Sequence, residues 1–307
     1  MKTILVLTDF SIRAQYAAEY AMHLAVKTKA NILLCHAIEI IESAPMVDQV
    51  AWPIADHIEL KKEGLGELKA IASKLQKLVP VDGAVAYKPS ITCINDFGKL
   101  SVIISRIVKN KVVDLIIMGS HKSNGLSRFF FGSHTHDVLD NIRCPVLLVP
   151  ENLKFKGLKT ISYATDLTFS DLKVIQYLSA IAKPFNAEIL VNHISPYGYP
   201  GTDNAIQHSV NELLDTDHPK VFYTSVKGDS IPKRLLEISS SGKTDVMALV
   251  HKRYGFFEKL FHASVSKQVA NNAKVPLLIL PYSFSADVAD LSDEQLDRYC
   301  YEPNDCR

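Results

Sequence analysis

The chain repeats itself, and the repeat constrains the fold more than any other feature of the sequence. KTILVLTDFS at 2–11 returns as KTISYATDLT at 159–168, and NILLCHAIEI at 31–40 returns as EILVNHISPY at 188–197, both at an offset of 157. VDLIIMG at 113–119 matches TDVMALV at 244–250, and IRCPVLLVP at 142–150 matches AKVPLLILP at 273–281, now at an offset of 131. The change of offset means that the first copy carries 26 extra residues between His36 and the strand at 113–119, and the stretch Ile40–Leu60 with Trp52-Pro53 is the expected location. A chain of 307 residues accommodates two such copies at ordinary domain size. The boundaries that follow are residues 1–150, residues 151–282 and an acidic tail, 283–307. Glu151–Leu158 reads as a polar link between the copies, and Ser292–Tyr299 as a short helix in the tail.

Within each copy, near-continuous apolar runs alternate with helical periodicity. Ile4–Leu7, Ile32–Cys35, Leu115–Met118 and Val146–Val149 have the apolar continuity of parallel strands covered on both faces. Ser11 precedes Ala17, Tyr20, Ala21 and Leu24 at helical spacing and serves as a candidate N-cap, a role that Ser170 takes in the second copy. The expected fold is therefore α/β: two tandem doubly wound parallel five-stranded sheets, Rossmann-like in topology. Ligands of such sheets bind at the carboxyl ends of the strands, beside the topological switch point.

Composition narrows the partners. With 34 Lys and Arg against 33 Asp and Glu, the net charge of +1 offers no electrostatic basis for non-specific nucleic-acid binding. The first apolar stretch, Ile4–Leu7, is too short for a signal peptide or a membrane span. Five scattered cysteines (Cys35, Cys93, Cys144, Cys300 and Cys306) without a CxxC pair fit a reducing, cytoplasmic environment. Cys35 and Cys144 read as small buried hydrophobes, and no metal-ligand spacing emerges.

Three segments converge at the carboxyl end of the first sheet. Strand one ends in Thr8-Asp9, whose carboxylate suits either a ribose hydroxyl or the positive end of the following helix. Strand two ends in His36-Ala37-Ile38, a backbone edge with small apolar surface for a flat ring, His36 itself reading as structural. Strand four, ending in Met118, runs into Gly119-Ser120-His121-Lys122-Ser123-Asn124-Gly125 and on to Phe129-Phe130-Phe131-Gly132-Ser133-His134. Glycines let backbone N–H groups approach phosphate oxygens, and Gly132-Ser133 stands where a helix begins, so its free N–H groups favour an anion. Lys122 and Arg128 can add charge. The pattern is neither a Walker A loop nor a GxGxxG fingerprint.

These segments resemble the universal stress protein family in its tandem form, over about 280 residues. The family pattern G-x2-G-x9-G-[ST] is met by Gly119, Gly132 and Ser133, with Lys122 in the second glycine position. Thr8-Asp9-Phe10-Ser11, His36-Ala37-Ile38 and Gly98, sixteen residues before Asp114, extend the likeness. The resemblance implies an adenine nucleotide, ATP or AMP with or without Mg²⁺. Its adenine and ribose would be met by Asp9 and the backbone around Ala37, its phosphates by Gly119, Gly132, Ser133 and His134; Thr8, Met118 and Lys122 complete the expected nucleotide-binding set. If the replaced glycine has positive φ, lysine there costs about 1 kcal/mol, which a contact from its ammonium to phosphate offsets.

The second copy keeps Asp166 and His193 but has Val250, Arg253 and Ala263 at the three glycine positions, retaining only Ser264. Either it is a packing partner for the first copy, or Asp166, Ile194, Arg253 and Ser264 hold a smaller anion. Gly228 is the expected counterpart of Gly98. The leading functional expectation is a non-catalytic, cytosolic nucleotide-binding protein of the stress response, its occupied state read by a partner. The alternatives are a slow ATPase or phosphotransferase, and a nucleotide-independent assembly module in which the copies pair around Val146–Val149 and Leu277–Leu280, with further homodimerisation open.

Overall fold

The structure, a computed structural model, describes residues 1–39, 54–79, 87–120, 138, 143–165, 172–195, 220–228, 231–251 and 275–281. Its elements are β1 (Thr3–Leu7), α1 (Ile12–Thr28), β2 (Asn31–Ile38), α2 (Ile54–Gln76), β3 (Ile91–Phe97), α3 (Leu100–Asn110), β4 (Leu115–Ser120) and β5 (Val146–Pro150). There follow β6 (Thr160–Thr165), α4 (Leu172–Ala182), a 3₁₀ turn (Lys183–Phe185), β7 (Glu188–Ser195), β8 (Val221–Lys227), α5 (Ile231–Ser240), β9 (Val246–His251) and β10 (Leu277–Pro281).

The strands form one sheet in the order β3-β2-β1-β4-β5-β10-β9-β6-β7-β8. Read outward from its centre, each half runs 5-4-1-2-3 in its own count, and every pair within a half is parallel. The expected five-stranded sets are present, and they join edge to edge through β5 and β10, the antiparallel pair. Val146 faces Ile279, Leu147 faces Leu278 and Leu148 faces Leu277. Because 277–279 correspond to 146–148 at the offset of 131, this register is symmetric about the Leu147–Leu278 pair.

Side-chain alternation sends each strand's residues to two covered faces. Ile4, Val6, Ile32 and Leu34 pack with Ala17, Tyr20, Ala21 and Leu24 of α1 and Leu68 and Leu75 of α2. Leu5, Leu7, Leu33 and Cys35 pack with Ile103, Ile104 and Ile107 of α3 on the opposite face. The second half repeats the division, with Val174, Ile175 and Leu178 of α4 on the first face and Leu235 of α5 on the other. Each fully buried aliphatic side chain contributes about 1.5–3 kcal/mol, so double coverage accounts for the uninterrupted apolar character of these strands. Cys35 and Cys144 are buried free thiols whose pKa burial pushes up to about 12, consistent with inert packing residues.

Local signals recur at matching places. Ser11 caps α1, its Oγ accepting from the Ala14 N–H. The helix ends at Lys29 with φ 54°, and Asn186, 157 residues on, closes the 3₁₀ turn with φ 52°. The Asp114 Oδ2 accepts from the backbone N–H groups of Lys2 (2.6 Å) and Thr3 (2.9 Å), and the Asp245 Oδ2 accepts identically from Lys159 (2.6 Å) and Thr160 (2.9 Å).

Glu151–Leu158 is less polar in its packing than in its composition. Leu158 is buried, and Phe155 packs edge-on to Tyr20, stacks on His23 with ring centres 5.0 Å apart, and meets Phe185 of the other half at 5.9 Å. The Tyr177 hydroxyl of α4 crosses to the first half and donates to the Asp114 carbonyl at 2.8 Å. The extra residues of the first half lie between β2 and β3. Ile54–Leu60, at the end of the expected insertion, opens α2, and residues 40–53 lie outside the described residues.

Candidate functional site

The order reverses between β1 and β4, so the switch point lies at their carboxyl ends, with β2 alongside β1. Thr8-Asp9, Ala37 and Met118-Gly119 stand at the ends of these three adjacent strands. The structure therefore brings together the described members of the expected set. Lys122, Gly132, Ser133 and His134 lie outside the described residues, as do Asp166, Arg253 and Ser264 of the second half. Ile194 is described; it is buried beside the end of β8, paired in register with Val226.

The strand-to-helix connection after β1 is tightly specified. Thr8 is buried; its N–H donates to the Cys35 carbonyl and its Oγ1 accepts from the Phe10 N–H at 3.0 Å. Phe10 sits at φ 63°, a region that a bulky side chain rarely enters and that marks a constrained turn. Its ring packs on His36 at 4.3 Å between centres. His36 donates from Nδ1 to the Thr8 carbonyl at 2.8 Å, and His193 makes the equivalent bond to Thr165 at 3.2 Å. The structural reading of His36 is thus borne out: it ties the end of β2 to the end of β1.

Asp9 is exposed and engaged locally. Its Oδ1 accepts from the Ser11 N–H at 3.1 Å and from the Ser11 hydroxyl, while its Oδ2 pairs with the Arg13 Nη2 at 2.6 Å. Partial burial works to raise its pKa, but the Ser11 and Arg13 contacts outweigh it and hold the carboxyl below the usual range. Asp9 is thus held by Ser11 and Arg13 just before α1, outside its first turn, and its side chain stays accessible.

Gly119 has a role that a loop motif does not reveal. A Cβ at this position would lie 2.7 Å from the Arg13 carbonyl oxygen and 2.8 Å from its carbon, both backbone atoms of α1. The glycine lets the end of β4 and the first turn of α1 touch. At the matching register position in the second half, Val250 carries a buried branched side chain.

Beside Ala37 lies a charged cluster that the sequence reading missed. Ala37 pairs in register with Asp96 at the end of β3, and Asp96 binds Arg106 of α3 and Lys61 of α2, the latter at 3.3 Å. Burial opposes ionisation of Asp96, yet Arg106, the Phe97 N–H and Lys61 together lower its pKa. Gly98, at φ 126°, then donates its N–H to the Ile38 carbonyl at 3.0 Å and leads into α3, as expected. The only forewarning in sequence was the spacing of Gly98, because the partners of Asp96 come from helices ten and thirty-five residues away.

Among the described residues no three His, Cys, Asp or Glu side chains gather at one place, and no described helix is long and apolar enough to cross a membrane.

Comparison with known proteins agrees with this architecture. Residues 1–150 match the model of the universal stress protein family. A universal stress protein of Methanocaldococcus jannaschii is 27% identical over 153 residues, 50% of this chain and 84% of that protein. One of Bacillus subtilis is 30% identical over 154 residues, 48% of this chain and 97% of that protein. The crystal structure of a universal stress protein from Archaeoglobus fulgidus superposes with a TM-score of 0.65 at 16% identity, covering 91% of this chain and 98% of that one, a likeness of fold. The chain belongs to the universal stress protein family.

Proposed function

We propose that the chain binds an adenine nucleotide, ATP or AMP, at the carboxyl edge of β1, β2 and β4, and acts as a non-catalytic, cytosolic stress-response protein whose occupied state a partner reads. The observation that carries this reading is the meeting of Asp9, Ala37 and Gly119 at one switch point. Asp9 supplies an accessible carboxylate for ribose hydroxyls, and Ala37 a strand-end backbone edge for the base. Gly119 opens the segment that carries Lys122, Gly132, Ser133 and His134, whose N–H groups and charges suit phosphates. The reading treats the chain as two tandem copies, with the nucleotide in the first and the second, lacking all three glycines, as its companion.

Mass spectrometry of small molecules released from the purified chain tests the ligand. The expected result is an adenine nucleotide near one equivalent. Protein free of nucleotide, with a melting temperature that millimolar ATP leaves unchanged, contradicts it.

A second reading has its own support. The symmetric β5–β10 pairing and the Tyr177 bond to Asp114 support an assembly unit whose halves brace one another, the nucleotide-independent alternative. That unchanged melting temperature is the outcome this reading predicts.

A further inference from the structure

We infer that Arg13 makes the site selective for phosphorylated nucleotides over uncharged nucleosides, by exchanging the Asp9 carboxylate for the ligand's phosphate when the ribose arrives. The inference rests on the adenine-nucleotide reading and adds to it a residue that the family pattern does not contain.

Arg13 is built into both ends of the site. Its guanidinium holds the Asp9 Oδ2, while its backbone carbonyl lies against Gly119, where the phosphate segment begins. The side chain therefore starts between the carboxylate assigned to ribose and the glycine assigned to phosphate. The pair is readily exchanged, because the Arg13 and Asp9 side chains are 34% and 48% exposed and solvent-exposed ion pairs are weak. Ser11 occupies Oδ1 through both its N–H and its hydroxyl, so an incoming ribose hydroxyl meets Oδ2, the atom that Arg13 holds.

The exchange has a charge logic. Arg13 neutralises Asp9 through this ion pair. An uncharged nucleoside must compete with that ion pair and offers the guanidinium nothing in return. A nucleotide gives the displaced guanidinium an anion with oxygens matched to its planar donor fork. The second half provides an internal contrast. Asp9 corresponds to Asp166 at the offset of 157, but no arginine follows Asp166 before Lys173, and Gly119 corresponds to Val250 at 131. Arginine and glycine occur together in one half and are both missing from the other.

The test is calorimetric titration of the full-length chain and its Arg13→Ala and Arg13→Gln variants with adenosine, AMP and ATP. Circular dichroism checks that each variant is folded. Loss of a charge-assisted contact predicts roughly tenfold or greater weakening for AMP and ATP in both variants. Adenosine affinity is expected to stay level or rise, because its competitor for Asp9 is gone. Arg13→Lys, which keeps charge without the fork, should fall between. A parallel loss for adenosine and the nucleotides marks a purely structural role and overturns the assignment, as does no change for any ligand. A wild-type chain that binds none of the three overturns the nucleotide reading together with this one. Wild type that binds ATP, with variants losing all ligands alike, overturns only the role of Arg13.

Discussion

Gly119 and Val250 occupy one register position in the two halves, paired with Val149 and Leu280 respectively, yet their surroundings demand different side chains. At Gly119 the obstacle is the backbone of α1, which cannot swing aside as a side chain would. Gly119→Ala should therefore push α1 off β4 and cost about 1–3 kcal/mol, as overpacking does. Equilibrium urea unfolding would reveal it, and a loss below about 0.5 kcal/mol would show that the contact relaxes freely. Such requirements are hard to read from sequence. Glycine before a serine-rich loop advertises phosphate binding, while the atom it makes room for belongs to a helix more than a hundred residues earlier. Asp9 shows the reverse. Both of its readings were legible, and Ser11 and Arg13, two and four residues on, hold it just before α1.

Secondary elements were legible where burial is two-sided. β1, β2, β4 and β5 appear as apolar runs because helices cover both of their faces. β3 is an edge strand, ITCINDF, with its residues mostly half-exposed, and it lacks that signature. The capping role of Asp114 and Asp245 was not legible, because a lone carboxylate before a strand looks like any loop residue. In the structure each accepts from two consecutive N–H groups at the start of the neighbouring strand, β1 or β6. Asp114→Ala orphans the part-buried Thr3 N–H along with that of Lys2, and should cost about 1–3 kcal/mol. Thermal melting checks this, and faster hydrogen exchange at the β1 amides should accompany the loss. The same substitution at Asp245 should act on β6. An unaltered melting curve for both variants would remove these carboxylates from the account of the fold.

At the scale of the molecule, the repeat predicted two parallel sheets, and the structure joins them through β5 and β10 into one. The apolar final strands already suggested that edge; the register about Leu147 and Leu278, and the Tyr177 bond across it, required the coordinates. Charge acts on the whole fold through Asp9 and Asp96, both with lowered pKa. A carboxyl whose native pKa lies below its unfolded value stabilises fully above the unfolded value, about 3.9, and loses that contribution as pH falls through the native one. Stability measured in urea should therefore hold steady on this account from neutrality to about pH 5 and decline below about pH 4. Asp9→Asn and Asp96→Asn should each flatten the decline, and an acid profile identical to wild type would contradict the assignment.

The claim on which the rest depends is that one nucleotide binds, in the first half, through Asp9. Isothermal titration of ATP into the wild-type chain, Asp9→Ala and Asp166→Ala measures it most directly. The account predicts one site per wild-type chain, retained in Asp166→Ala and weakened at least about tenfold in Asp9→Ala, as expected for a lost hydrogen bond to a charged group. Two sites per chain, or binding that survives Asp9→Ala and disappears in Asp166→Ala, would contradict it.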